Sequence, residues 1–129
     1  MTEIQTVDPN LFGPALFPYS QATVAQGLVF VAGQVALDDD NNVVAPGDAY
    51  EQTKVTLDRV ARVLAEVGGT LNDIVTASVY VPSLDHLPGF NKAWAEVFGE
   101  HLPARATMVA GLLIDGLVVE VQSIAVHRA

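Results

Sequence analysis

The strand-like runs of this chain are apolar on both sides, and that limits the folds open to it. A strand covered on one face alternates apolar and polar residues. In the last such run, Leu117, Val119 and Val121 point one way while Val118, Ile124 and Val126 point the other. Residues 28–34 and 74–81 are likewise apolar on both sides. Helices packed on one face of a sheet built from these runs leave a second apolar face. On this ground that face is expected to be buried against other subunits, in an obligate oligomer.

The other sequence features agree with that expectation. The chain has 129 residues, half of them hydrophobic, and a mean hydropathy of +0.35. That length suits a single domain, 1–129, with one core. No apolar run approaches the ~18 residues needed to cross a bilayer. The stretch 1–12 has no basic segment followed by an apolar one, so no secretory leader is expected in it. The absence of cysteine excludes disulfides, thiolate metal sites and a cysteine nucleophile. A reducing cytoplasm is the expected compartment. Net charge is −9 with only six Lys and Arg. No basic cluster exists to hold a phosphate backbone or an anionic membrane. A small anion remains open, because one arginine can grip a carboxylate.

Residues 1–17 hold Pro9, Gly13 and Pro14 without periodicity and read as an arm or loop. Residues 18–24 and 28–34, joined by Gln26-Gly27, read as a hairpin. The acidic loop at 38–42 lacks the spaced ligands of a calcium site. After Asp48, apolar or small residues recur at Ala49, Thr53, Leu57, Val60, Ala61, Leu64 and Val67, a helical pattern stopped at Gly68-Gly69. A third strand, 74–81, ends at Pro82. Ser83 or Asp85 then caps a second helix whose stripe is Leu87, Phe90, Trp94, Val97 and Phe98. Two strands follow, separated by Asp115-Gly116. The order ββαβαββ predicts an α+β fold, a mixed sheet with two helices on one face.

Two charges stand out. Arg105 opens the run 105–109, where it shares a face with Thr107 and Val109, and Glu120 lies inside the last strand. A charge inside a buried strand is costly unless paired or bound. One reading is a structural ion pair between neighbouring strands. The other is a site at a subunit interface, with Arg105 holding a carboxylate bidentately and Glu120 handling a proton. Both charges would then be polar points on one apolar layer. Asn91, beside the apolar face of its helix, needs partners: either it satisfies backbone or it faces a pocket. Tyr19 is open in the same way between a packed and a pocket role. His86, His101 and His127 show no metal spacing, and Gly33 is a lone glycine rather than a phosphate loop.

Tyr19 within 18–22, Gly33-Gln34, Gln52, Asn91, Pro103-Ala104-Arg105, Val119-Glu120-Val121 and Ile124-Ala125 follow one another in an order and spacing that resembles the reactive intermediate/imine deaminase (RidA, YjgF-type) family. The resemblance implies a chorismate-mutase-like fold and homotrimers with a cleft at each interface. It implies hydrolysis of reactive 2-imino or enamine acids to 2-keto acids and ammonia, without metal or cofactor. Arg105 matches the residue that binds the substrate carboxylate and Glu120 the acid that places water. Tyr19, Gly33, Asn91 and Thr107 match positions lining the same pocket. Ala32 stands where serine is usual and Thr107 where cysteine is common, so the substrate range is expected to differ. Two other readings are a trimeric keto-acid-binding regulator without turnover and a ribonuclease or translation inhibitor; the acidic charge disfavours the last.

Overall fold

Eight elements make up the computed structural model, which describes residues 3–128. They are β1 (Gln5–Val7), β2 (Ala22–Ala25), β3 (Leu28–Val35), α1 (Ala49–Ala65), β4 (Ile74–Val81), α2 (Leu87–Phe98), β5 (Ala104–Val109) and β6 (Glu120–Val126). Two 3₁₀ turns, Leu71–Asp73 and Leu84–His86, precede β4 and α2. The strands form one mixed sheet in the order β1-β2-β3-β6-β4-β5. All neighbours are antiparallel except β4 and β5, which run parallel. Residues 1 and 2 of the expected arm lie outside the described residues. The arm also contains β1, which pairs with β2 and adds one strand to the expected order.

Asp48 starts α1, its side chain accepting the Glu51 N–H. The helix ends near Gly68, whose φ of +79° needs no Cβ to be accommodated. Ser83 caps the 3₁₀ turn rather than α2; the first turn of α2 instead holds Pro88, whose missing N–H costs nothing there. Along α2, Phe90, Trp94 and Phe98 recur every fourth residue and stack with ring centroids 5.3 and 4.5 Å apart. Val97, expected on this stripe, is exposed. The stacked rings pack with Leu57, Val60 and Leu64 of α1 against Val29, Val31, Val79 and Val121 of the sheet. Each fully buried side chain of this kind contributes about 1.5–3 kcal/mol.

Among the described residues no helix covers the opposite face of the sheet. Register places Phe30 beside Ile124 and Ile124 beside Thr76. Phe30 and Val126 are 40% and 38% exposed there. The two-sided apolar pattern is therefore present, with one side covered within the protomer and the other open.

Gln52 ties α1 to the start of β6. Its Nε2 donates to the carbonyls of Val44, Ala45 and Gly116 at 3.1, 3.1 and 2.8 Å. Its Oε1 accepts the Val118 N–H at 2.8 Å. The side chain is fully buried, and both its amide nitrogen and its amide oxygen are hydrogen-bonded. Residues 117–119 are consequently held by side-chain and loop contacts, and β6 begins at Glu120 rather than at the expected 117.

Candidate functional site

Arg105 and Glu120 do not form an ion pair, and they do not share a layer. Arg105 pairs with Ala77 across the parallel β4–β5 ladder, so it faces the helices. Glu120 pairs with Tyr80 and Val35, so it faces the open side. β4 lies between β6 and β5. Alternation within each strand is visible in a sequence; which strands are neighbours, and hence which faces coincide, is not.

Around Glu120 the structure gathers Tyr19, Gly33 and Gln122, which line a cavity of about 470 Å³ beneath the loop 9–19. The register of β3 against β6 shifts between Val31 and Gln34, a bulge that contains Ala32 and Gly33 and sets Gly33 beside the Glu120 side chain. The approach is close. A Cβ built on Gly33 would lie 2.6 Å from Glu120 Oε2. The bulge is held by Gln34, whose Nε2 donates to Gln21 Oε1 at 2.8 Å and to the Ala32 carbonyl at 3.2 Å. Gln21 in turn donates to the Pro9 carbonyl, which fixes the loop that carries Tyr19. The Glu120 carboxylate has no hydrogen bond or ion pair among the described residues. Burial alone pushes its pKa above the ordinary carboxylate value.

A second group forms on the other face, at the edge strand β5. Arg105 Nη2 donates to Asn91 Oδ1 at 2.8 Å. The guanidinium lies over the rings of Phe90 and Trp94, 4.9 and 5.2 Å from their centroids. This apolar backing lowers the Arg105 pKa, yet an arginine keeps its charge at neutral pH. Asn91 thus holds a side chain rather than backbone. Thr107 shares the Arg105 face, two residues along. The two groups cannot meet within one protomer.

One residue of the Glu120 cavity escaped the sequence reading. Arg59 lines it from α1 and is only 7% exposed. The signal is the buried row Gln52, Thr56, Arg59 and Val63, which runs beside the apolar stripe and carries three polar residues. Among the described residues no cluster of three His, Asp or Glu could hold a metal ion, and no helix is long and apolar enough to cross a membrane.

Residues 13–127 match the family model described as Endoribonuclease L-PSP. The 3-aminoacrylate deaminase RutC of Acinetobacter baylyi is 36% identical over 112 residues, 87% of this chain and 89% of that protein. A RutC family protein of Pyrococcus abyssi is 36% identical over 108 residues, 84% and 85% of the two chains. Among solved structures, RidA from Psychrobacter sp. superposes with a TM-score of 0.84 at 27% identity, covering 95% of this chain and 98% of that one. A YjgF family member from Neisseria meningitidis gives 0.79 at 29% identity, covering 98% and 97%. The fold is the chorismate-mutase-like one of these neighbours, as the family resemblance implied, and it has the α+β pattern with helices on one face that the element order predicted. The chain belongs to the YjgF/RidA family.

Proposed function

We propose that this chain is a cofactor-independent deaminase of reactive 2-imino and enamine acids, with its active sites completed between copies of the chain. The observation that carries the reading is Glu120: half-buried, without a hydrogen-bond or ion-pair partner among the described residues, its pKa raised by burial, and facing a cavity. A structural carboxylate is normally paired. An unpaired one in a cavity is suited to accept a proton. The relatedness to a 3-aminoacrylate deaminase supports the same chemistry.

Glu120, Tyr19 and Gly33 of one copy supply one wall. Arg105, with Asn91 and Thr107, supplies the other from a neighbouring copy. The open sheet face, with Phe30 and Val126 exposed, is the surface that would bring copies together, in the homotrimer that the family resemblance implies. Arg105 grips the substrate carboxylate with the guanidinium edge not held by Asn91, which places C2 beside Glu120. An enamine first takes a proton on its β-carbon and becomes the iminium. Water adds to C2 while Glu120 accepts its proton, giving a carbinolamine. Glu120 returns the proton to nitrogen, the C–N bond breaks as the hydroxyl proton passes back to Glu120 and the C=O forms, and ammonia and the 2-keto acid leave. Orientation supplies much of the rate. The ribonuclease function named in the family model is disfavoured by the net charge of −9 and the lack of a basic cluster.

The test is ammonia and keto-acid release from imines generated in situ by an amino-acid oxidase. Wild type accelerates release, while Arg105→Ala and Glu120→Ala do not, although both fold. No acceleration with any imine, from a protein that still binds 2-keto acids, would leave the reading of a non-catalytic keto-acid-binding protein. The acid limb of kcat/KM is expected above the ordinary carboxylate range, because burial raises the Glu120 pKa.

A further inference from the structure

Arg59 is a buried cation that forms no ion pair among the described residues. Its Nη1 donates to the Leu37 carbonyl at 2.7 Å, and its guanidinium lies 3.8 Å from the centroid of the Phe12 ring. Nε is buried with no hydrogen-bond partner. Asp38 and Asp39 favour its charge only through space, from beyond ion-pair distance, and both hold other partners. Asp39 pairs with Arg62 at 3.3 Å, and Asp38 accepts the N–H groups of Asp40 and Asn42, both at 2.9 Å. No carboxylate among the described residues forms an ion pair with Arg59. Stacking and one carbonyl bond offset only part of the cost of burying a charge. A buried arginine in this state is suited to accept an anion from outside the protomer.

That arginine lines the same cavity as Glu120 and Tyr19. Between them the wall is largely apolar, with Phe12, Val35, Leu37, Ile114 and Leu117. The cavity therefore has a proton-handling carboxylate on one wall, a buried cation on another, and an aliphatic lining between. Resting on the proposed deaminase reading, we infer that the preferred substrates are dicarboxylates: 2-imino or enamine acids whose side chain ends in a second carboxylate, held by Arg59. Arg105 of the neighbouring copy holds the first carboxylate, and the methylene chain crosses the apolar lining. The competing role for Arg59 is a clamp that only fastens Phe12 and Leu37 to α1.

Binding of unreactive 2-keto acids separates the two. Calorimetry would compare 2-oxoglutarate and 2-oxoadipate with 2-oxopentanoate and 2-oxohexanoate, for wild type, Arg59→Met and Arg59→Lys. The inference expects wild type to bind the dicarboxylates about tenfold or more tighter, the scale of one charge-assisted contact. Arg59→Met loses that preference, while Arg59→Lys keeps part of it. Equal wild-type affinity for both classes overturns the inference, as does no binding of either. A preference that survives Arg59→Met does so too. Should Arg59→Met fail to fold, the wild-type comparison and Arg59→Lys still decide. Ammonia release is scored separately, with imines of glutamate and 2-aminoadipate against that of norleucine. A dicarboxylate preference without ammonia release would defeat the deaminase reading and leave the Arg59 site standing. Ammonia release with equal kcat/KM for both classes would do the reverse.

Discussion

Replacing Gly33 by alanine tests the placement of Glu120 without touching the carboxylate itself. Gly33 is not in the left-handed region of φ, so alanine brings no backbone strain. The added Cβ would lie 2.6 Å from Oε2 and 3.1 Å from Cδ of Glu120, where ordinary contact begins at 3.4 Å. The nearer oxygen must therefore retreat by 3.4 − 2.6 = 0.8 Å. The Glu120 side chain is free to swing, since no hydrogen bond holds it, so the fold survives. Misplacement of a reacting group by about 1 Å costs on the order of 10²-fold in rate. The expected outcome is a roughly 10²-fold fall in kcat/KM for imine hydrolysis, with thermal stability near that of wild type. Ammonia release and a melting curve on the same sample read both quantities. Wild-type kcat/KM from Gly33→Ala would refute the reasoning, because the carboxylate could then move without consequence.

Two further expectations concern stability. Gln52→Ala orphans the Val118 N–H and the Val44 carbonyl, leaves the Ala45 and Gly116 carbonyls with only the Asp48 and Gly47 N–H groups, and opens a cavity. This should cost about 3–5 kcal/mol and lower Tm by roughly 15 °C, and a loss of under 2 °C in a melting curve would contradict it. Glu120→Gln tests the pH dependence. The folded state holds the Glu120 proton more tightly than the unfolded chain does. Wild type therefore loses stability as pH rises from about 4.3, the unfolded value, through the raised folded pKa. Glu120→Gln should melt higher than wild type above that window and no higher below it; a constant difference across pH would exclude the burial account.

Much of the fold was legible because local signals and burial agreed. The expected strand 74–81 coincides with β4, and the α2 stripe around Phe90 and Trp94 packs as its period suggests. β1 was not legible: Gln5, Thr6 and Val7 form a three-residue edge strand too short for alternation to show. The site was legible as a set of residue types but not as an arrangement. Spacing placed Arg105 with Thr107 and Glu120 with Gln122, but the parallel insertion of β4 between their strands puts the pairs on opposite faces. Arg59 was missed because it sits between Asp58 and Val60 on a helix whose other charges face outward. Only the tertiary contact with Phe12 and Leu37 makes its burial visible.

The most direct test of a site shared between copies is complementation between Arg105→Ala and Glu120→Ala. Each variant alone is expected to be inactive. Refolded together in equal amounts, they form oligomers in which an intact Glu120 faces an intact Arg105 at about one interface in four. The account predicts recovery of about one quarter of wild-type ammonia release. Mixed oligomers that form and remain inactive would contradict it.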